Sequence, residues 1–168
     1  MNKNVNGTQL TVTWHVDDLK VSHGVQTSVV IDQFIADMDS EFGKETPLNQ
    51  SRGTKVHGYL GMMLEFSNPG EVTVTMIDYI KSVLLHDAPK EMRGSAATPA
   101  ANHLFEVNQV DPAVLLGKEN ADIYVHIVMQ LLYLSQHAWP DLCTAVSFLC
   151  GRLTKPDADD YKKLTLGS

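Results

Sequence analysis

Asp17 and Asp18 stand side by side, and they interrupt a regular alternation over Leu10–Ser22, LTVTWHVDDLKVS. Two carboxylates on a rigid bend suit a hard divalent cation. Mg²⁺ takes oxygen ligands in octahedral geometry and needs only one or two carboxylates from a protein, with water and substrate phosphates completing its shell. The same pair also makes an ordinary solvated turn, because Asp bonds its own backbone. Zinc held by His15 and Asp17 is a third reading, since alternation puts both on one face. That site needs a further ligand, and no nearby His or Cys has a suitable spacing.

The elements that must position these groups follow from periodicity. Leu10, Val12, Trp14 and Val16 alternate with Thr11, Thr13, His15 and Asp17, and Leu19 and Val21 resume the alternation. This is the period-2 pattern of half-buried strands. It predicts a hairpin over about residues 9–23, with Asp17 beside His15 on the polar face and Asp18 in the turn. Residues 1–8 are polar and are expected to fray. Val30, Phe34, Met38 and Phe42, with Ile31 and Ile35, predict an amphipathic helix over about 26–42, stopped at Gly43. A second hairpin is expected from Leu60, Met62, Leu64 and Phe66, a Ser67-Asn68-Pro69-Gly70 turn, and Val72, Val74 and Met76. Gly61 then lies inside a strand, as a bulge or a point of close backbone approach.

A short helix is expected over about 77–87, followed by an irregular stretch over 88–120 that is long for a compact domain. The last third reads as helical: about 123–138 with Asp122 as cap, a helix after Pro140, and a segment 157–164 beyond Pro156. The organisation expected is therefore 1–90, a linker over 91–120, and a helical part over 121–168. The fold class is α+β.

The 168 residues carry a net charge of −7, the wrong sign for a free-standing nucleic-acid binder. A 43% hydrophobic share excludes bulk disorder. Cys143 and Cys150 share a predicted helix at about 1.5 Å rise per residue, which sets them roughly 10 Å apart, too far to pair. Reduced thiols and the lack of an apolar leader point to an intracellular, cytoplasmic location. No apolar run approaches the ~18 residues of a membrane span.

The hairpin resembles the Tyr-x-Asp-Asp motif of reverse transcriptases, with His15 where that family usually has Tyr. Tyr59-Leu60-Gly61-Met62 resembles the Leu-Gly motif of the copia-type, long-terminal-repeat retrotransposon branch. Gln130-Leu131-Leu132-Tyr133-Leu134-Ser135, then Pro140-Asp141 and Ala145-Val146, resembles its "LLYLS…RPD…AV" segment, with Trp139 in place of Arg. The order and spacing hold from about Leu10 to Leu164.

The resemblance implies a partial polymerase palm, built of two hairpins and a helix, followed by a truncated thumb-like region. It implies RNA-directed DNA polymerase activity in the complete enzyme, through two Mg²⁺ ions about 4 Å apart. Asp17 and Asp18 become catalytic metal ligands, and His15, Tyr59, Leu60, Gly61 and Met62 become primer-contacting residues. The implied partners are an RNA template, a DNA primer, dNTP and upstream polymerase segments, within the virus-like particle of a parent element. The family's third carboxylate comes from an upstream strand, so the chain alone is expected to be inactive. The competing expectation is a non-enzymatic remnant that serves a protein partner.

Overall fold

Three tight turns organise the first part of the chain. In the computed structural model, which describes residues 1–90, 98, 100, 102–107 and 115–165, each turn has two residues between antiparallel strands. Asn6-Gly7 joins β1 (Asn2–Val5) to β2 (Thr8–His15), at φ values of 53° and 77°. Two positive φ angles match the right-handed twist of the flanking strands, and Asn-Gly supplies them at little strain. Residues 2–5 are therefore a strand and not a frayed end.

Val16-Asp17 joins β2 to β3 (Asp18–Ser22). The expected placement of the two acids is reversed: Asp17 is in the turn, and Asp18 opens β3 directly opposite His15. This register also sets Thr13 opposite Lys20, Trp14 opposite Leu19 and Val12 opposite Val21. A turn one residue later would put His15 opposite Lys20, two basic groups face to face, which is unfavourable in a cross-strand pair.

The third turn, Leu60-Gly61, joins β4 (Val56–Tyr59) to β5 (Met62–Glu65) at φ values of 50° and 72°. Leu60-Gly61 is thus the tip of an additional hairpin, while the expected Ser67–Gly70 turn, closed by a bond from the Glu71 N–H to the Asn68 carbonyl at 3.2 Å, leads from β5 to the strand that follows. Gly61 supplies positive φ to a turn instead of interrupting a strand. β6 (Thr73–Thr75) is the third strand of that sheet.

Between the two sheets in sequence lies α1 (Ser28–Phe42). Its Ile31 is buried. The helix ends where expected, with Gly43 as its C-cap, whose backbone N–H donates to the Asp39 carbonyl at 2.8 Å.

The described architecture is mixed α+β, with two small three-stranded antiparallel sheets and five helices. It divides into two compact units, 1–73 and 74–168. The first buries only Leu10, Ile31, Leu64 and Thr27.

The second unit contains a helical run over 77–87, here α2, made of Ile77–Tyr79, a π-helical turn at Ile80–Leu84, and Leu85–Asp87. It continues with α3 (Lys118–His137), α4 (Cys143–Cys150, after a 3₁₀ turn at Pro140–Leu142) and α5 (Ala158–Thr165). α3 starts five residues before the expected boundary, with Gly117 at its cap; Asp122 lies inside it, because Lys118-Glu119-Asn120-Ala121 extends the helix. Of the expected linker, residues 91–97, 99, 101 and 108–114 lie outside the described residues. Leu104, also within it, packs with Tyr124, Val128, Ala145 and Leu149 in the core of this unit.

The core is fastened by an ion cluster. Arg152 Nε donates to both oxygens of Asp160 at 3.1 Å, and Nη2 reaches Asp157 at 3.4 Å. Asp157 also accepts from the backbone N–H of Asp159 and Asp160, which caps α5. Contact with Asp160 pushes the Arg152 guanidinium pKa upward. Tyr124, fully buried, donates to the Leu149 carbonyl at 3.1 Å, and burial raises its phenol pKa. Cys143 and Cys150 are free thiols. No described helix is long and apolar enough to cross a membrane.

Candidate carboxylate cleft

β2 and β3 carry the acidic pair, and their turn presents it to solvent. Val16 between His15 and Asp17 takes φ 49° although it is β-branched, and it is 74% exposed. Left-handed backbone at a β-branched residue is strained by about 1–2 kcal/mol. Burial does not repay that strain here. Trp14 Nε1 donates to the Val16 carbonyl and covers the turn. Such strain concentrates where the surroundings fix a functional geometry.

Asp17 and Asp18 both border a cleft of about 570 Å³ within the first unit. Its opposite wall is the apolar stripe of α1, including Phe34, Ile35 and Met38, with the loop over residues 45–52 across one side. Among the described residues, neither carboxylate has a hydrogen-bond or ion-pair partner. They therefore keep their oxygens available for a cation. Nor do three His, Cys, Asp or Glu side chains converge in a metal-holding geometry among those residues. The donor set fits Mg²⁺, which is content with one or two carboxylates. It does not fit zinc on His15 and Asp17, because the structure brings no third nitrogen or sulfur ligand to them.

A second cleft, about 790 Å³, runs along β3 in the same unit. It brings Asp18 and Tyr59 to one space, together with Lys20, His23, Arg52 and His57. Asp17 borders only the first cleft, while His15, Leu60, Gly61 and Met62 border neither. Lys20 Nζ sits 4.8 Å from the centre of the Phe66 ring, and Arg52 is tied to Asp32 at 2.6 Å. The Tyr59 hydroxyl is buried and has no hydrogen-bond partner among the described residues. No protein-family model, curated protein or solved structure matches the chain.

Periodicity does not disclose the second cleft. Lys20, Arg52 and His57 come from separate segments, and only the fold places them together. A cluster in the second unit was equally invisible. Asp87, at the end of α2, accepts from His86 Nδ1 at 3.1 Å, from His126 Nε2 at 2.9 Å and from Gln130 Nε2 at 2.6 Å. The bond from His126, then those from His86 and Gln130, hold its carboxyl pKa well below the usual range. These partners lie 39 and 43 residues away on α3, except for the adjacent His86.

Proposed function

We propose that the first unit is the catalytic-hairpin part of a copia-type reverse transcriptase palm, and that the helices after it belong to the thumb. One observation supports this reading above the others: adjacent, unpartnered Asp17 and Asp18 sit at a two-residue hairpin turn and border one cleft. The order of parts agrees with it, since α1 and a second hairpin with Tyr59 and Met62 at its tip follow.

In the complete enzyme, bound Mg²⁺ would activate the primer hydroxyl and stabilise the leaving pyrophosphate. The chain's own part is to hold two carboxylate ligands on rigid strands beside a cleft. Tyr59, Leu60, Gly61 and Met62 present a second hairpin to the primer, and His15 replaces a longer aromatic phenol. The upstream carboxylate and template-binding segments would come from outside residues 1–168. The chain by itself then yields no primer extension on an RNA template.

The test is site-specific metal binding. Mn²⁺, standing in for Mg²⁺, should broaden amide NMR signals around residues 15–19 at millimolar concentration. Asp17→Asn/Asp18→Asn should abolish that broadening. Broadening spread over other acids such as Asp37 and Asp39, or none near the turn, overturns the reading.

A protein-interaction role has one observation in its favour. The first unit leaves Trp14, Val25, Val29 and Phe42 more than half exposed over a thin core. Large exposed apolar side chains of that kind mark contact surfaces when they are contiguous.

A further inference from the structure

We propose that Asn6 is a site of spontaneous succinimide chemistry, and that its isoaspartyl product releases β1 from the first sheet. The reaction is independent of any polymerase role of the acidic hairpin. Of the eight asparagines in the sequence, Asn6 is the one followed by glycine. A glycine amide, with no Cβ beside it, is the least hindered main-chain nucleophile. Nothing lies within 4 Å of where a Cβ on Gly7 would stand, so the approach is open. Both residues are exposed, and the pairing of Val5 with Thr8 leaves the Gly7 N–H outside the ladder. Among the described residues, the Asn6 carboxamide has no hydrogen-bond partner. Other asparagines lack this combination. Asn68 precedes Pro69, which has no N–H, and its carboxamide donates to Glu71. Asn120 lies inside α3.

The Gly7 main-chain nitrogen attacks Asn6 Cγ and gives up its proton. The bond from Cγ to Nδ2 breaks, and Nδ2 leaves with that proton as ammonia. Water then opens the cyclic imide. Opening at Cγ gives an aspartate on an ordinary main chain. Opening at the main-chain carbonyl of the same residue gives isoaspartate, whose chain runs through Cβ and Cγ and is longer by a single atom. No redox partner is involved, and water is the sole co-reactant. Ring closure requires Asn6 to rotate out of its turn conformation at φ 53°. β1 permits that rotation, because it is an edge strand with Asn2, Lys3 and Asn4 exposed.

A two-residue turn has no room for the extra atom. Its positive φ angles and the Val5–Thr8 pair both depend on the standard main-chain length. The register of Asn4 with Gln9, Lys3 with Leu10 and Asn2 with Thr11 fails with it, and the terminal ammonium loses the Val12 carbonyl that it meets at 2.6 Å. β2 becomes an unpaired edge, and Leu10, one of the few buried side chains of this unit, loses its neighbour across the pair.

The experiment ages the whole chain in mildly alkaline buffer at physiological temperature. Its peptides are followed by mass spectrometry and by labelling with an isoaspartyl methyltransferase. Asn6 should convert several-fold faster than Asn49, an exposed asparagine followed by Gln50. Asn6→Gly keeps a residue suited to positive φ and removes the carboxamide, so its N-terminal peptide should gain no acid. Anion exchange separates the aged chain by its added negative charge. In the isoaspartyl fraction the amides of residues 2–12 should exchange about tenfold faster or more. The urea midpoint read by Trp14, with Trp139→Phe, should fall, while the Trp139 midpoint of the second unit, with Trp14→Phe, stays where it was.

Asn6→Asp carries the new charge without the extra atom, and it should keep the parent exchange rates within about twofold. Conversion at Asn6 no faster than at Asn49 overturns the site. An isoaspartyl chain that exchanges like the parent, or Asn6→Asp that exchanges like the isoaspartyl chain, overturns the release of β1 by a lengthened main chain.

Discussion

Replacing Arg152 with methionine should unfasten the second unit. The guanidinium faces two carboxylates whose side chains are only 3% and 6% exposed, those of Asp160 and Asp157. Methionine keeps the apolar stem and removes the charge. Deleting one partner of a buried pair leaves the other uncompensated, at roughly 3–5 kcal/mol. Backbone N–H groups of Asp157, Asp159 and Asp160 still serve the carboxylates, so the low end applies, about 3 kcal/mol. Each unit contains one of the two tryptophans, Trp14 in the first and Trp139 in the second. In a Trp14→Phe background, Trp139 fluorescence follows the second unit alone. At about 1–1.5 kcal/mol/M for a unit of this size, the urea midpoint should fall by roughly 2–3 M. Adding Asp157→Asn and Asp160→Asn should restore much of it, because the stranded charges are then gone. A fall worth less than about 1 kcal/mol, or a triple variant no better than the single one, refutes the electrostatic account.

The Asp87 carboxyl has its pKa lowered by its His126, His86 and Gln130 bonds. Its contribution to stability is therefore present above the unfolded carboxylate pKa of about 3.9 and is lost as pH falls through the lower folded value. The Trp139 unfolding midpoint should drop from pH 5 to pH 2.5, and Asp87→Asn should flatten that drop; an unflattened profile counts against the cluster. Val16→Asn should leave the first unit as stable or raise it by up to about 1 kcal/mol, since Asn tolerates positive φ and Val16 buries little. Urea unfolding followed through Trp14, with Trp139→Phe, would show it, and a loss above about 1 kcal/mol would contradict the strain at that turn. Tyr124→Phe should cost about 1 kcal/mol, because the Leu149 carbonyl keeps the Arg152 N–H at 3.0 Å when the phenol is removed. A loss near zero in the same Trp139 titration would show that the hydroxyl contributes nothing net.

The legible parts were those governed by local period. The β2–β3 hairpin, α1, the helical run over 77–87 and the Pro140 start before α4 all follow from spacing within a dozen residues. Asn6-Gly7 is a strong hairpin signal, but the polar residues around it lack the apolar alternation of a half-buried strand. The Leu60-Gly61 tip was harder, since an apolar residue with positive φ is uncommon and Leu60 resembles a strand position. The α3 start was lost because propensity extends a helix beyond its apolar stripe. For the site, adjacency made Asp17 and Asp18 visible, but the turn's register decided which of them faces His15. The β3 groove and the Asp87 cluster depend on segments brought together from afar, and no periodicity encodes that.

The scarcity of interior side chains in the first unit bears on how long the chain survives in a cell. A segment held by Leu10, Ile31, Leu64 and Thr27 opens far more often than one built around Tyr124 and Val128. Each opening offers extended backbone to proteases, so anything that closes over that unit slows the loss of the intact chain. Turnover that slows when a covering partner is co-expressed, with cleavage confined to residues 1–73 in its absence, would be the cellular signature.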